Sequence, residues 1–136
     1  MKKISIPLVA LILTGLLMAT LLQARPDKRF DERTGMCRLI AEGQLGWESE
    51  PWGTGGRKFR EVCKGCHFKG NDEGAPFLHT ESYVSRGWNR IFATRRVECA
   101  RDGYWDSLTE EEIQYIADYL YRNAAWSYDP NSTDSC

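Results

Sequence analysis

The run Cys63-Lys64-Gly65-Cys66-His67 constrains this chain more than any other five residues in it. Two thiols separated by two residues, with an imidazole directly after the second, form the Cys-x-x-Cys-His pattern of covalent haem attachment. On a helical backbone the spacing of the thiols matches that of the two haem vinyl groups, and the histidine is placed to ligate iron from the proximal side. Other uses of paired cysteines need contexts that are missing. A redox Cys-x-x-Cys calls for a thioredoxin-like strand-helix-strand setting, and half a zinc site calls for a second Cys or His pair at matching spacing. Cys63 and Cys66 are therefore the candidate thioether residues and His67 the candidate iron ligand.

Attachment of this kind requires an exported chain, and the first residues supply an export signal. Lys2 and Lys3 precede an apolar run from Ile4 to Leu22, and Gln23-Ala24-Arg25-Pro26 returns the chain to water. Residues 1–24 read either as a signal peptide cut after Ala24 or as an N-terminal membrane anchor. The run is close to the ~20 residues needed to span a bilayer. In both cases the lysines keep the start inside, so Arg25 onward lies outside the cytoplasmic membrane, which implies a periplasmic location. Membrane contact is expected only through an uncleaved anchor. The leader holds two of the 18 basic residues and none of the 19 acidic ones, so 16 face 19 in the remainder, a net charge of −3. No basic stripe stands out, and nucleic acid is excluded as a partner.

Residues 25–52 have mixed charge broken by Gly35, Gly43, Gly46 and Pro51, and read as an N-terminal extension lying over a domain. Within it Met36 to Ala41 is expected as a short helix. Residues 53–123 are expected to form that domain. Thr54 is the expected cap of a helix from about Gly55 to Cys66, with Phe59 and Val62 on its apolar face. The glycines and Pro76 between Phe68 and Thr80 predict a loop. Tyr83, Val84, Trp88, Ile91 and Phe92 recur at helical spacing and predict a helix from Ser82 to Cys99. Arg101-Asp102-Gly103 predicts a turn. Thr109 with Glu112 three residues later is a capping box, opening a helix whose stripe is Ile113, Ile116, Ala117 and Leu120. Residues 124–136 form a C-terminal tail. No segment alternates in the manner of a strand, so the fold class is all-α.

With these residues in view, the stretch from about 53 to 123 resembles the class I, mitochondrial-type cytochrome c family. Gly55 stands eight residues before the first haem cysteine and Phe59 four before it, as in that family. The resemblance implies that Gly55 lets the first helix approach an aromatic of the last, here Tyr119. Ala75-Pro76-Phe77-Leu78-His79 resembles the family loop in which a proline carbonyl accepts a hydrogen bond from the haem histidine, so Pro76 is expected to orient His67. Leu108-Thr109-Glu110-Glu111-Glu112-Ile113 resembles the start of the family's last helix. The family implies a small fold of three to four helices around one covalent haem c. Trp88, Tyr104, Trp105 and Tyr115 are candidates for the haem crevice. Trp47, Trp52 and Trp126, outside the matched stretch, are expected to pack over the small core, the alternative being exposed anchors for a partner protein.

The chain departs from the family at the distal ligand. Relatives place a methionine shortly before the last helix, and this chain has none after Met36. Cys99 stands in that stretch and is the first candidate. A thiolate there would stabilise Fe(III), and Arg95, Arg96 and Arg101 would favour it. Its competing use is a disulfide with Cys37 or Cys136. Pairing Cys37 with Cys136 would instead staple the two extensions and leave Cys99 over, since five cysteines cannot all pair. His79, Met36 and an open iron follow as weaker alternatives. The function expected from all this is single-electron transfer to or from a redox partner protein, rather than enzymatic catalysis. A haem subunit of a larger oxidoreductase fits the same features. The alternatives are a His/Cys haem that oxidises sulfur compounds, or a gas-binding haem with an open distal site.

Overall fold

The computed structural model describes residues 25–40 and 53–126. Among them the fold is helical, as expected, with one addition. Strand β1 (Lys28–Asp31) pairs antiparallel with β2 (Met36–Leu39), Phe30 lying opposite Cys37. The stretch from Met36 expected to be helical is therefore a strand up to Leu39. Gly35 makes the turn with φ of 70°, which glycine adopts without penalty. Asp31 secures it, its carboxylate oxygens accepting from the Arg33 N–H at 3.1 Å and the Thr34 hydroxyl at 2.7 Å.

Helix α1 (Gly53–Val62) runs directly into a tight 3₁₀ turn over Cys63–Gly65. Thr54 lies inside α1 and does not cap it. Helix α2 (Ser85–Thr94) stops short of the expected end at Cys99, because Arg95 turns left-handed with φ of 51°. A separate short helix, α3 (Glu98–Arg101), follows, and Gly103 turns the chain after it with φ of 83°. Helix α4 (Glu110–Arg122) begins on the expected capping box: the Thr109 hydroxyl accepts from the Glu112 N–H, and the Glu112 carboxylate accepts from the Thr109 N–H. Three glutamates in its first turn suit the positive end of the helix dipole.

The core forms where α1, α2 and α4 meet. Phe59, Trp88, Phe92, Ile113, Ile116, Ala117 and Leu120 are buried together there. Gly55 lets α1 lie directly on α4: a Cβ at that position would sit 1.9 Å from the Tyr115 carbonyl oxygen and 2.7 Å from the Tyr119 Cβ. Tyr119 reaches Phe59 with ring centroids 6.1 Å apart. Lys58 of α1 and Glu112 of α4 close the edge of this contact with an ion pair of 2.8 Å.

The hairpin is held to the helices by charge. Arg29 is 1% exposed and Asp118 likewise 1%. The Arg29 guanidinium donates to Asp118 at 2.7 Å, to Asn89 at 2.8 Å, and to the side-chain oxygen of Gln114. Arg38 adds a bond to the other Asp118 oxygen at 2.9 Å. Burial pushes the Asp118 carboxyl up, and the two guanidinium groups oppose it. The hairpin thus packs on α2 and α4 through a buried polar seam.

Candidate functional site

The 3₁₀ turn at the end of α1 brings the expected attachment residues together. In such a turn side chains three apart eclipse, so Cys63 and Cys66 share a face. The His67 N–H donates to the Cys63 carbonyl at 2.9 Å, keeping the imidazole on the next step of the same coil. Both thiols are free, as is Cys99. All three sulfurs and His67 line one cavity of about 480 Å³, within the ~300–1,000 Å³ usual for cofactor sites. Its apolar wall includes Phe59, Trp88, Ile91, Phe92, Trp105 and Leu120. Burial, reinforced by the neighbouring Cys99 and Cys66 sulfurs, pushes the Cys63 thiol up to about 12.

His67 Nδ1 lies 2.7 Å from the Pro76 carbonyl oxygen. A carbonyl can only accept, so Nδ1 carries the proton and Nε2 keeps its lone pair for a metal. Pro76 also lines the cavity. The relation expected between Pro76 and His67 is thus present. The residues fit a covalent haem: two thiols and a metal-ready imidazole rise from one turn into an apolar hollow.

Cys99 reaches the cavity from α3, near enough to Cys63 to act on its thiol. It forms no metal-holding cluster with the other three residues, and no such group of three His, Cys, Asp or Glu occurs among the described residues. Burial pushes its thiol up, with a hydrogen bond from Trp105 opposing. The charged group acting on it is Asp102, which pushes in the same direction as burial. Of the arginines expected to favour a thiolate, Arg95 turns instead to Glu110, in two bonds of 2.8 and 2.5 Å.

Other candidates separate cleanly. Trp88, Tyr104 and Trp105 wall the cavity, while Tyr115 does not, and its backbone instead faces Gly55. His79 is exposed and caps the turn at Thr80–Ser82, its Nδ1 accepting from the Glu81 N–H at 3.3 Å. Met36 stands 59% exposed on β2, away from the cavity wall. Trp126 is 70% exposed, contrary to the expectation that it packs over the core; Trp47 and Trp52 lie outside the described residues. Cys37 is disulfide-bonded, and its expected partner Cys136 lies outside the described residues. Two residues near the site have roles not read from the sequence, where Asn71 marks only a loop. Lys64 and Asn71 bind the backbone of the loop that carries Pro76. An asparagine among glycines is the signal for such a role, because its side chain readily bonds nearby backbone.

One curated relative bears on this geometry. The chain is 27% identical over 101 residues to the chloroplastic cytochrome c6 of Chlamydomonas reinhardtii, covering 66% of this chain and 68% of the relative. That likeness points to a c-type cytochrome. No family model matches the chain, and no solved structure matches it either. A c-type cytochrome of this helical fold implies a covalently bound haem and electron transfer, and the cavity walled by Cys63, Cys66 and His67 is where these residues would hold it. No helix among the described residues is long and apolar enough to cross a membrane.

Proposed function

We propose that this chain is a periplasmic, class I monohaem cytochrome c that passes single electrons to or from a redox partner protein. Cys63 and Cys66 hold the haem through thioethers, His67 ligates its iron through Nε2, and Cys99 is the distal ligand. The observation that carries the reading is the hydrogen bond from His67 Nδ1 to Pro76 on the wall of a cavity that also holds both thiols. It fixes one tautomer and aims one lone pair, which a packing histidine would not need.

The haem supplies a reversible one-electron change at iron. The chain's own residues orient the imidazole, line the hollow with hydrocarbon and limit water around it. A buried, apolar setting and an anionic sulfur act in opposite directions on the potential: burial disfavours the charged ferric state, while a thiolate favours it. The free Cys99 on the cavity wall also supports a second reading, in which a His/Cys haem acts on sulfur compounds.

Haem staining after denaturing electrophoresis, with electron paramagnetic resonance of the ferric protein, tests the proposal. Stain is expected in the exported parent and absent from a Cys63→Ala, Cys66→Ala variant, and the ferric signal should be that of a His/thiolate haem. Haem released from the parent by acid-acetone would sink covalent attachment. A His/Met or five-coordinate signal would remove Cys99 from the ligand set.

A further inference from the structure

Pro76 can orient His67 only while the loop carrying it keeps its shape, and from Phe68 to His79 that loop has neither helix nor strand. One side chain organises it. Asn71 Nδ2 donates to the carbonyls of Phe68 and Ala75, each at 2.8 Å. Asn71 Oδ1 accepts from the N–H groups of Glu73 and Ala75, each at 3.1 Å. All of these bonds end on backbone, and two end on Ala75, the residue directly before Pro76. The loop is closed at its base by Lys64, whose ammonium donates to the carbonyls of His67 at 3.1 Å and Leu78 at 2.8 Å. The Leu78 N–H donates to the same His67 carbonyl at 3.2 Å.

We propose that Asn71 is a positioning residue for His67. It holds the Ala75-Pro76 backbone so that the Pro76 carbonyl meets the Nδ1 proton, and through that bond it sets how strongly the imidazole donates to iron. The inference rests on the proposed haem reading and deepens it. A hydrogen bond at the outer nitrogen makes a ligating imidazole more basic, and a more basic ligand favours Fe(III) and lowers the potential. Asn71→Ala removes the four loop bonds without changing charge. Lys64 is a poorer probe, because loss of its positive charge would itself shift the potential in the opposite sense.

The test compares the full, haem-bearing chain with Asn71→Ala, Asn71→Ser and Thr109→Ala. The last weakens the α4 cap and touches neither Asn71 nor His67. Asn71→Ala should raise the midpoint potential and speed solvent exchange of the His67 Nδ1 proton, with Asn71→Ser between it and the parent. Thr109→Ala should lower the melting temperature and leave both readouts unchanged. Should Asn71→Ala fail to accumulate, the serine variant decides by the same two readouts. A haem-bearing parent whose potential and exchange rate ignore the Asn71 substitutions overturns the role, as does an equal shift in Thr109→Ala. A parent without covalent haem overturns the proposed function first, and this role with it.

Discussion

Helix α4 is buried on two faces, and by opposite chemistry. Ile113, Ile116, Ala117 and Leu120 join α1 and α2 in hydrocarbon, and Leu120 continues into the cavity wall. Gln114 and Asp118, four residues apart on the adjoining face, meet Arg29, and Asp118 also meets Arg38. The polar face closes on protein alone, each of its charges answered by another. Side chains on the apolar face stop at a hollow. The contrast separates what the chain stabilises by itself from what it shapes around a cofactor.

The polar face is the easier to break. Arg29→Ala should destabilise the protein by about 3–5 kcal/mol, because it leaves buried Asp118 with Arg38 alone and strips two buried amide oxygens of their donor. Thermal melting checks this, and the double variant Arg29→Met, Asp118→Leu should melt nearer the parent, since it leaves no buried charge of that pair unanswered. A double variant as unstable as Arg29→Ala would show that shape, not charge, holds the hairpin. The capping box offers a smaller perturbation at the start of the same helix. Thr109→Ala should cost about 1 kcal/mol in denaturant melts, and no measurable loss would mean that α4 is held by its two faces alone.

The smallest effect is a slope. Lys58, with help from the Thr109 N–H, holds the Glu112 carboxyl at about 2, below its ordinary value of 4.5. A depressed carboxyl stabilises the folded state above its unfolded value, so this contribution is whole above about 4.5 and fades as pH falls towards about 2. Melting temperatures of Glu112→Gln should therefore fall less steeply than the parent's across that window. Parallel curves would remove Glu112 from the acid response.

How much of this was legible in the chain follows from how local each signal is. The α4 cap and its apolar stripe rest on residues three and four apart, and they stand as expected. That Cys63, Cys66, His67 and Pro76 meet at one cavity was legible because a motif and a family loop mark them, and the Gly55 contact because the family resemblance does. The hairpin was not. Its inward residues Arg29 and Asp31 are charged; Asp31 is answered within its own turn, but Arg29 is answered by partners 60 to 89 residues away. Gln114 and Asp118 fall outside the apolar stripe, and nothing local marks them as buried. The end of α2 was missed because Arg95 adopts a left-handed backbone without being glycine or asparagine, which leaves no local mark.

The bond between Arg29 and Asp118 spans 89 positions, and Cys63 to His67 lie within that span. Contacts between positions so far apart form late and slow a fold's assembly, because the chain between them must be gathered first. The chain cannot close this seam until α4 has been made. The segment from Cys63 to His67 therefore stays in open chain, within reach of other molecules, until the last helix is in place.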